Sequence, residues 1–234
     1  MANVPQTVAE LRAQGTAALW PCAYDAAVFD FDGTIASTGS LWEQVDRDFL
    51  SRRGLEWTPD YGAELAARGF AGGAVYTIER YGLDETPEDV CAEWTELSAE
   101  LYAASVCLRP GVLPYVEGLR SSGVKVALAT TNKLDVLTSL KPRVDVDALF
   151  DTCVYGDEVA RDKNHPDIYV EAAARLGCAP ERMVVFEDIV PALHAARAAG
   201  MVACGVHSGE SSQDEAAIAD AADFVLHDWR DLPL

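Results

Sequence analysis

Two aspartates one residue apart, Asp30 and Asp32, follow directly on the apolar run Ala26-Ala27-Val28-Phe29 and lead into Gly33-Thr34. Alternate residues of a strand point the same way, so this spacing sets two carboxylates side by side where the chain leaves the sheet. Such a pair can hold a hard cation, attack an electrophile or pass a proton. Other chemistry-bearing groups stand at comparable places. Thr130-Thr131-Asn132 follows the apolar run 124–129, Glu187-Asp188 follows Met183-Val184-Val185-Phe186, and Lys163 lies in the loop 156–166. Each has a structural use when taken alone: aspartates form turns, threonines fill strands, lone lysines are solvated, and Glu187-Asp188 could cap a helix starting near Pro191. Their joint order and spacing favours one shared site.

These groups need elements to hold them. From Tyr24 the chain reads as a buried strand ending at the aspartates, and 124–129 reads as a second. Further strand candidates at 152–155, 183–186, 202–206 and 223–226 alternate with helical stretches at about 133–141, 166–176, 191–199 and 213–221. This alternation predicts a parallel sheet with helices on both faces, in which sites form at the carboxyl ends of the strands. Residues 39–107 differ in kind. Leu41, Val45, Phe49 and Leu50 recur at helical spacing, Thr58-Pro59 and Thr86-Pro87 read as N-cap and first-turn pairs, and Gly69, Gly72, Gly73 and Gly82 interrupt. The expected architecture is a Rossmann-like α/β core from residues 1–37 and 109–234, with a helical extension over 1–22 and an all-helical insertion over 38–108.

Half of the 234 residues are hydrophobic, enough for one substantial core or a core with a smaller second domain. The net charge of −20, from 38 acidic against 18 basic residues, disfavours sequence-independent binding to nucleic acid or anionic lipid. An anionic substrate would need local cations or a bound metal. The lysines, Lys125, Lys133, Lys141 and Lys163, all lie in the C-terminal half. Six cysteines (Cys22, Cys91, Cys107, Cys153, Cys178 and Cys204) form no Cys-x-x-Cys pair and read as buried thiols in a reducing compartment. No basic segment with a following apolar run opens the chain, and no stretch approaches about 18 apolar residues, so a cytoplasmic location is expected.

Over residues 24–226 the chain resembles the haloacid dehalogenase-like hydrolases, in particular the branch with a helical cap between its first and second motifs. Asp30-Phe31-Asp32-Gly33-Thr34 resembles motif one, Leu128-Ala129-Thr130 motif two, Lys163 in Lys163-Asn164-His165-Pro166-Asp167 motif three, and Phe186-Glu187-Asp188 motif four. The resemblance implies hydrolysis of a small phosphorylated metabolite. Asp30 would be the nucleophile that forms an aspartyl-phosphate, and Asp32 would protonate the leaving oxygen and then activate water. It also implies Mg²⁺ held by Asp30, the Asp32 carbonyl and Asp188, with Glu187 as a further ligand or a holder of metal-bound water. Lys163 and Thr130 would attend the phosphoryl oxygens, with Gly33, Thr34, Thr131 and Asn132 lining the phosphate. Arg68 of the cap would reach the rest of the substrate, unless it pairs with Glu64 one helical turn earlier.

Departures from the family pattern narrow the reading. Trp42 stands where β-phosphoglucomutases carry a histidine, and residues 38–108 contain no lysine, which disfavours a mutase and a cap-lysine Schiff base. The usual Lys-Pro of motif three is Lys163-Asn164, and His165 beside it reads as a solvated loop histidine. Arg47, Tyr76 and Trp42 are other cap candidates, although aromatics at helical spacing usually form cap core. A phosphomutase remains the second enzyme reading. A receiver-like or silent binding domain is the third, set back because nucleophile and acid share motif one and because receivers lack such an insertion.

Overall fold

The computed structural model describes residues 7–20, 22–210 and 213–232. Of the N-terminal extension, residues 1–6 and Pro21 lie outside the described residues. The helix expected there is α1 (Val8–Gln14), started by a capping box in which Thr7 and Glu10 exchange hydrogen bonds. Strand β1 (Ala26–Phe29) follows, then the helices α2 (Gly39–Ser51), α3 (Pro59–Tyr81) and α4 (Pro87–Ser105). The chain returns through α5 (Val112–Ser121) to β2 (Lys125–Thr130), α6 (Leu134–Thr138), α7 (Val146–Leu149) and β3 (Thr152–Tyr155). It ends with α8 (Asp167–Leu176), β4 (Met183–Glu187), α9 (Val190–Ala198), β5 (Val202–Val206), α10 (Glu215–Ala221) and β6 (Phe224–Leu226).

The strands form one parallel sheet in the order β3-β2-β1-β4-β5-β6. Strand order reverses at β1, and at such a switch point the carboxyl ends of neighbouring strands flank a crevice. Alternation along β1 separates two cores. Ala27 and Phe29 pack with Leu11, Tyr115, Leu119 and Trp229 on one face, whereas Ala26 and Val28 pack with Tyr169, Ala172, Leu193 and Ala196 on the other. The rings of Phe29 and Phe186 stack at 4.8 Å across β1 and β4. That pairing fixes the register so that Asp30 and Glu187 emerge side by side.

Helices α2, α3 and α4 form the expected insertion between β1 and β2. Thr86 caps α4 through a reciprocal bond with Asp89, as its Thr-Pro pair predicts, but the Thr58 hydroxyl accepts from Arg80 and leaves α3 without a side-chain cap. Within α3 the backbone breaks at Gly69 (φ 62°, ψ −171°), where a Cβ would lie 3.1 Å from Cβ of Thr131. The break therefore rests on the loop that leaves β2. Helix α6 is shorter than its sequence pattern suggests, because backbone turns replace it from Ser139. The cysteine expectation needs correcting: all six thiols are free, but only Cys91 and Cys204 are buried, and Cys107 is exposed.

Candidate active site

Asp30, Glu187 and Asp188 each offer a carboxylate oxygen, and these oxygens lie within 4.8 Å of one another. Between Asp30 and Glu187 sits Lys163, only 2% exposed, whose Nζ donates to Asp30 Oδ1 and Glu187 Oε1. The solvated-lysine reading of Lys163 is thereby excluded. Burial alone would lower the lysine's pKa, but the two carboxylates outweigh it and raise it. Burial pushes Asp30 and Asp188 above the usual carboxylate range, as does repulsion from neighbouring carboxylates, and Lys163 only partly opposes this. Cation-binding chemistry is written into such a set, because another positive charge would relieve it.

Glu187 is fully engaged by the protein. Its Oε1 also accepts from the Tyr169 hydroxyl at 2.9 Å, while Oε2 accepts from the backbone N–H of Asp188 at 3.0 Å and of Ile189 at 3.4 Å. These bonds turn the chain at the end of β4. They orient Asp188 and Lys163 and leave Glu187 few free lone pairs.

Asp32 has a different environment. Its Oδ1 accepts from Trp42 Nε1 at 3.0 Å and from the Tyr102 hydroxyl, and its Oδ2 accepts from Asn132 Nδ2 at 3.1 Å. Asn132 also donates to the Tyr102 oxygen at 3.0 Å. Trp42, one of the cap candidates although aromatics at helical spacing usually form cap core, thus belongs to the site. Tyr102 escaped the sequence reading: it is fully buried near the end of α4, and nothing in its local pattern sets it apart from a core tyrosine.

Gly33 takes φ 81°, and a Cβ there would fall 2.0 Å from Asp188 Oδ2. Only glycine lets the loop after β1 run against that carboxylate. Arg109, also unforeseen, holds this loop by donating to the Gly33 carbonyl at 2.9 Å and to the His207 carbonyl at 2.6 Å. Gly33→Ala is expected to displace Asp188 and to cost about 1–3 kcal/mol. Urea denaturation measures this, and an unchanged midpoint would contradict the close approach.

Of the residues singled out from sequence, Asp30, Asp32, Gly33, Thr131, Asn132, Lys163, Glu187 and Asp188 line one cavity of about 450 Å³ beneath the insertion. Thr34, Thr130 and Arg68 are not part of its lining. The buried Thr34 points its hydroxyl at Asp188, 3.5 Å away, and the Thr130 hydroxyl accepts from the Asn132 N–H at 3.0 Å. Arg68 adopts the alternative foreseen for it, pairing with Glu64 at 2.5 Å, and it also lies over the Tyr76 ring. Arg47 pairs with Glu43 and covers Trp57, Tyr76 accepts from Arg80, and His165 is exposed.

A parallel sheet whose switch point gathers carboxylates and a buried lysine, roofed by a helical insertion, defines a capped α/β enzyme. The chain belongs to the haloacid dehalogenase-like hydrolases, whose family model matches residues 24–200. Protein CbbY of Rhodobacter capsulatus is 32% identical over 220 residues, covering 88% of this chain and 91% of that protein. A phosphorylated carbohydrates phosphatase of Thermotoga maritima is 30% identical over 178 residues, 76% of this chain and 82% of the relative. The crystal structure of CbbY from Rhodobacter sphaeroides in complex with phosphate has a TM-score of 0.78 at 27% identity, covering 90% of this chain and 96% of that one. These matches put the chain in the helical-cap branch.

Proposed function

We propose that the protein is a Mg²⁺-dependent phosphatase that hydrolyses a small phosphorylated metabolite, of the phosphorylated-sugar kind, through an aspartyl-phosphate on Asp30. The observation that carries this reading is the convergence of Asp30, Asp188 and Lys163 in one cavity with Asp32. The donor set consists of oxygen alone, which suits a hard cation. Asp30, Asp188 and the Asp32 carbonyl would hold Mg²⁺, with Glu187 behind them as an orienting residue. Its charge would let a phosphate dianion approach two carboxylates.

This chain's own groups supply the remaining steps. An Asp30 oxygen forms a bond to phosphorus while the bond to the leaving oxygen breaks, and Asp32 gives that oxygen its proton. A water then attacks the aspartyl-phosphate, Asp32 takes the water's proton, and the bond between Asp30 and phosphorus breaks. Trp42, Tyr102 and Asn132 keep the Asp32 carboxylate aimed through both halves. Lys163 favours the ionised form of Asp30 against burial and would face a non-bridging oxygen, whereas the Thr130 hydroxyl, buried outside the cavity lining, holds the Asn132 N–H and with it the loop that leaves β2. Residues 38–108 act as the cap that closes over a core of residues 1–37 and 109–234. Trp42 in place of a histidine, and the absence of lysine from 38–108, favour water over a second sugar hydroxyl as acceptor.

The charge of −20 speaks against nucleic acid as a partner, and among the described residues no helix is long and apolar enough to cross a membrane. A screen of phosphorylated metabolites with and without Mg²⁺ tests the assignment. Chelation is expected to slow phosphate release at least about 100-fold, and added Mg²⁺ to restore it. Full turnover in the presence of chelator would refute the metal-dependent reading.

A further inference from the structure

The cap half of the cavity is apolar and aromatic, walled by Trp42, Trp57, Phe70 and Trp94, yet it contains a carboxylate that the mechanism does not use. Asp46 is only 7% exposed. It follows Trp42 by four residues on α2, so the two side chains share a helix face. Trp42 touches Asp32, and one further helical turn carries Asp46 about 6 Å farther from the reacting centre along the helix axis. No cation among the described residues pairs with Asp46. The Trp57 indole lies near enough to favour its charged form, but its N–H completes no hydrogen bond. Burial pushes the Asp46 carboxyl up to about 7, with the Trp57 indole opposing the shift. A buried carboxylate without donors is costly unless another molecule supplies them.

Charge inside the cavity points the same way. Among the described residues lining it, Lys163 is the only cation, and Asp30 and Glu187 already hold it. Glu43 beside Asp46 is neutralised by Arg47 at 2.6 Å, which leaves Asp46 as the unbalanced charge of the cap half. A second phosphate placed there would meet a carboxylate and aromatic rings and, among the described lining residues, no free ammonium or guanidinium; Lys133, outside the lining, lies over the Phe70 ring at 5.1 Å.

Resting on the phosphatase reading above, we propose that Asp46 selects the substrate: a monophosphate ester with an apolar edge against the aromatic wall and hydroxyl or ammonium donors at its far end. A bisphosphate is disfavoured. Hydroxyl and ammonium donors share the chemistry that Asp46 recognises, and the choice of probes separates them.

The test measures kcat/KM with Mg²⁺ for four esters: p-nitrophenyl phosphate, a hexitol monophosphate, O-phosphoethanolamine and a sugar bisphosphate. The wild-type protein is expected to prefer at least one donor-bearing monophosphate over the bisphosphate by 10-fold or more. In Asp46→Asn, the ratio of kcat/KM for that monophosphate to kcat/KM for p-nitrophenyl phosphate should fall at least 10-fold, mainly through KM. Preference for the hexitol ester would identify hydroxyl donors, and preference for the amine would identify ammonium; either supports the proposal. A wild-type enzyme that favours the bisphosphate, or an unmoved ratio in the variant, overturns it while the phosphatase reading stands. Failure of the wild type to hydrolyse any of the four esters overturns both. Should Asp46→Asn not fold, the wild-type comparison of mono- and bisphosphate still decides.

Discussion

Asp30→Asn is expected to lower kcat by at least about 10⁴-fold, because an amide cannot supply the electron pair that bonds to phosphorus. The substitution is suited to separating chemistry from folding. Asparagine keeps the shape, the Asp30 N–H still donates to the Phe186 carbonyl at 3.0 Å, and an amide oxygen can still accept from Lys163. Burial and Glu187 already disfavour the charged form of Asp30, so removing its charge should change stability by no more than about 1 kcal/mol. Phosphate release from p-nitrophenyl phosphate and the urea midpoint are the two measurements. Undiminished turnover would remove Asp30 from the mechanism, and a collapse of stability would make the loss of activity uninformative about the nucleophile.

Much of this site was legible because most of its contributors end apolar runs. Asp30 and Asp32 close β1, Thr130 closes β2, Glu187 closes β4, and the parallel arrangement that brings strand ends together follows from the alternation of elements. Contacts between insertion and core have no such local signature. Tyr102 lies 70 residues from Asp32, on a helix whose spacing says only that the tyrosine is buried. Its partner depends on how α4 settles over the sheet. The same holds for Trp42, where a 3.6-residue period predicts a buried face but not whether that face meets helices or a carboxylate. Arg68 shows the converse. Its position on α3 allowed either substrate contact or pairing within the helix, and the near neighbour Glu64 holds it. At Gly33 the glycine was visible within the motif, but its steric reason, the carboxylate of Asp188, comes from the turn after β4, more than 150 residues away.

The opposing arrangement of charge at Lys163 leads to the other large effect. Lys163→Met retains much of the side-chain volume but removes the only positive charge shared by Asp30 and Glu187, and breaking a buried pair in this way costs about 3–5 kcal/mol. The sign of its pH dependence follows from linkage. Without the ammonium, burial and the neighbouring Glu187 raise the folded-state pKa of Asp30 further above the unfolded value, so the native state binds more protons than the unfolded chain between those two values. Stability of the variant therefore falls as pH rises through that window, and below the unfolded carboxyl pKa, near 4, the penalty is gone. In wild type, low pH instead leaves a charged lysine beside a neutral Asp30, which narrows the gap from the other side. Urea denaturation at pH 8 and pH 5 should show the deficit of Lys163→Met shrinking at the lower pH. Added Mg²⁺ should raise the melting temperature of the variant more than that of wild type, because the cation meets a more negative cluster. A deficit independent of pH and of Mg²⁺ would mean that Lys163 contributes packing alone, and its assignment as the counter-charge of Asp30 would fall.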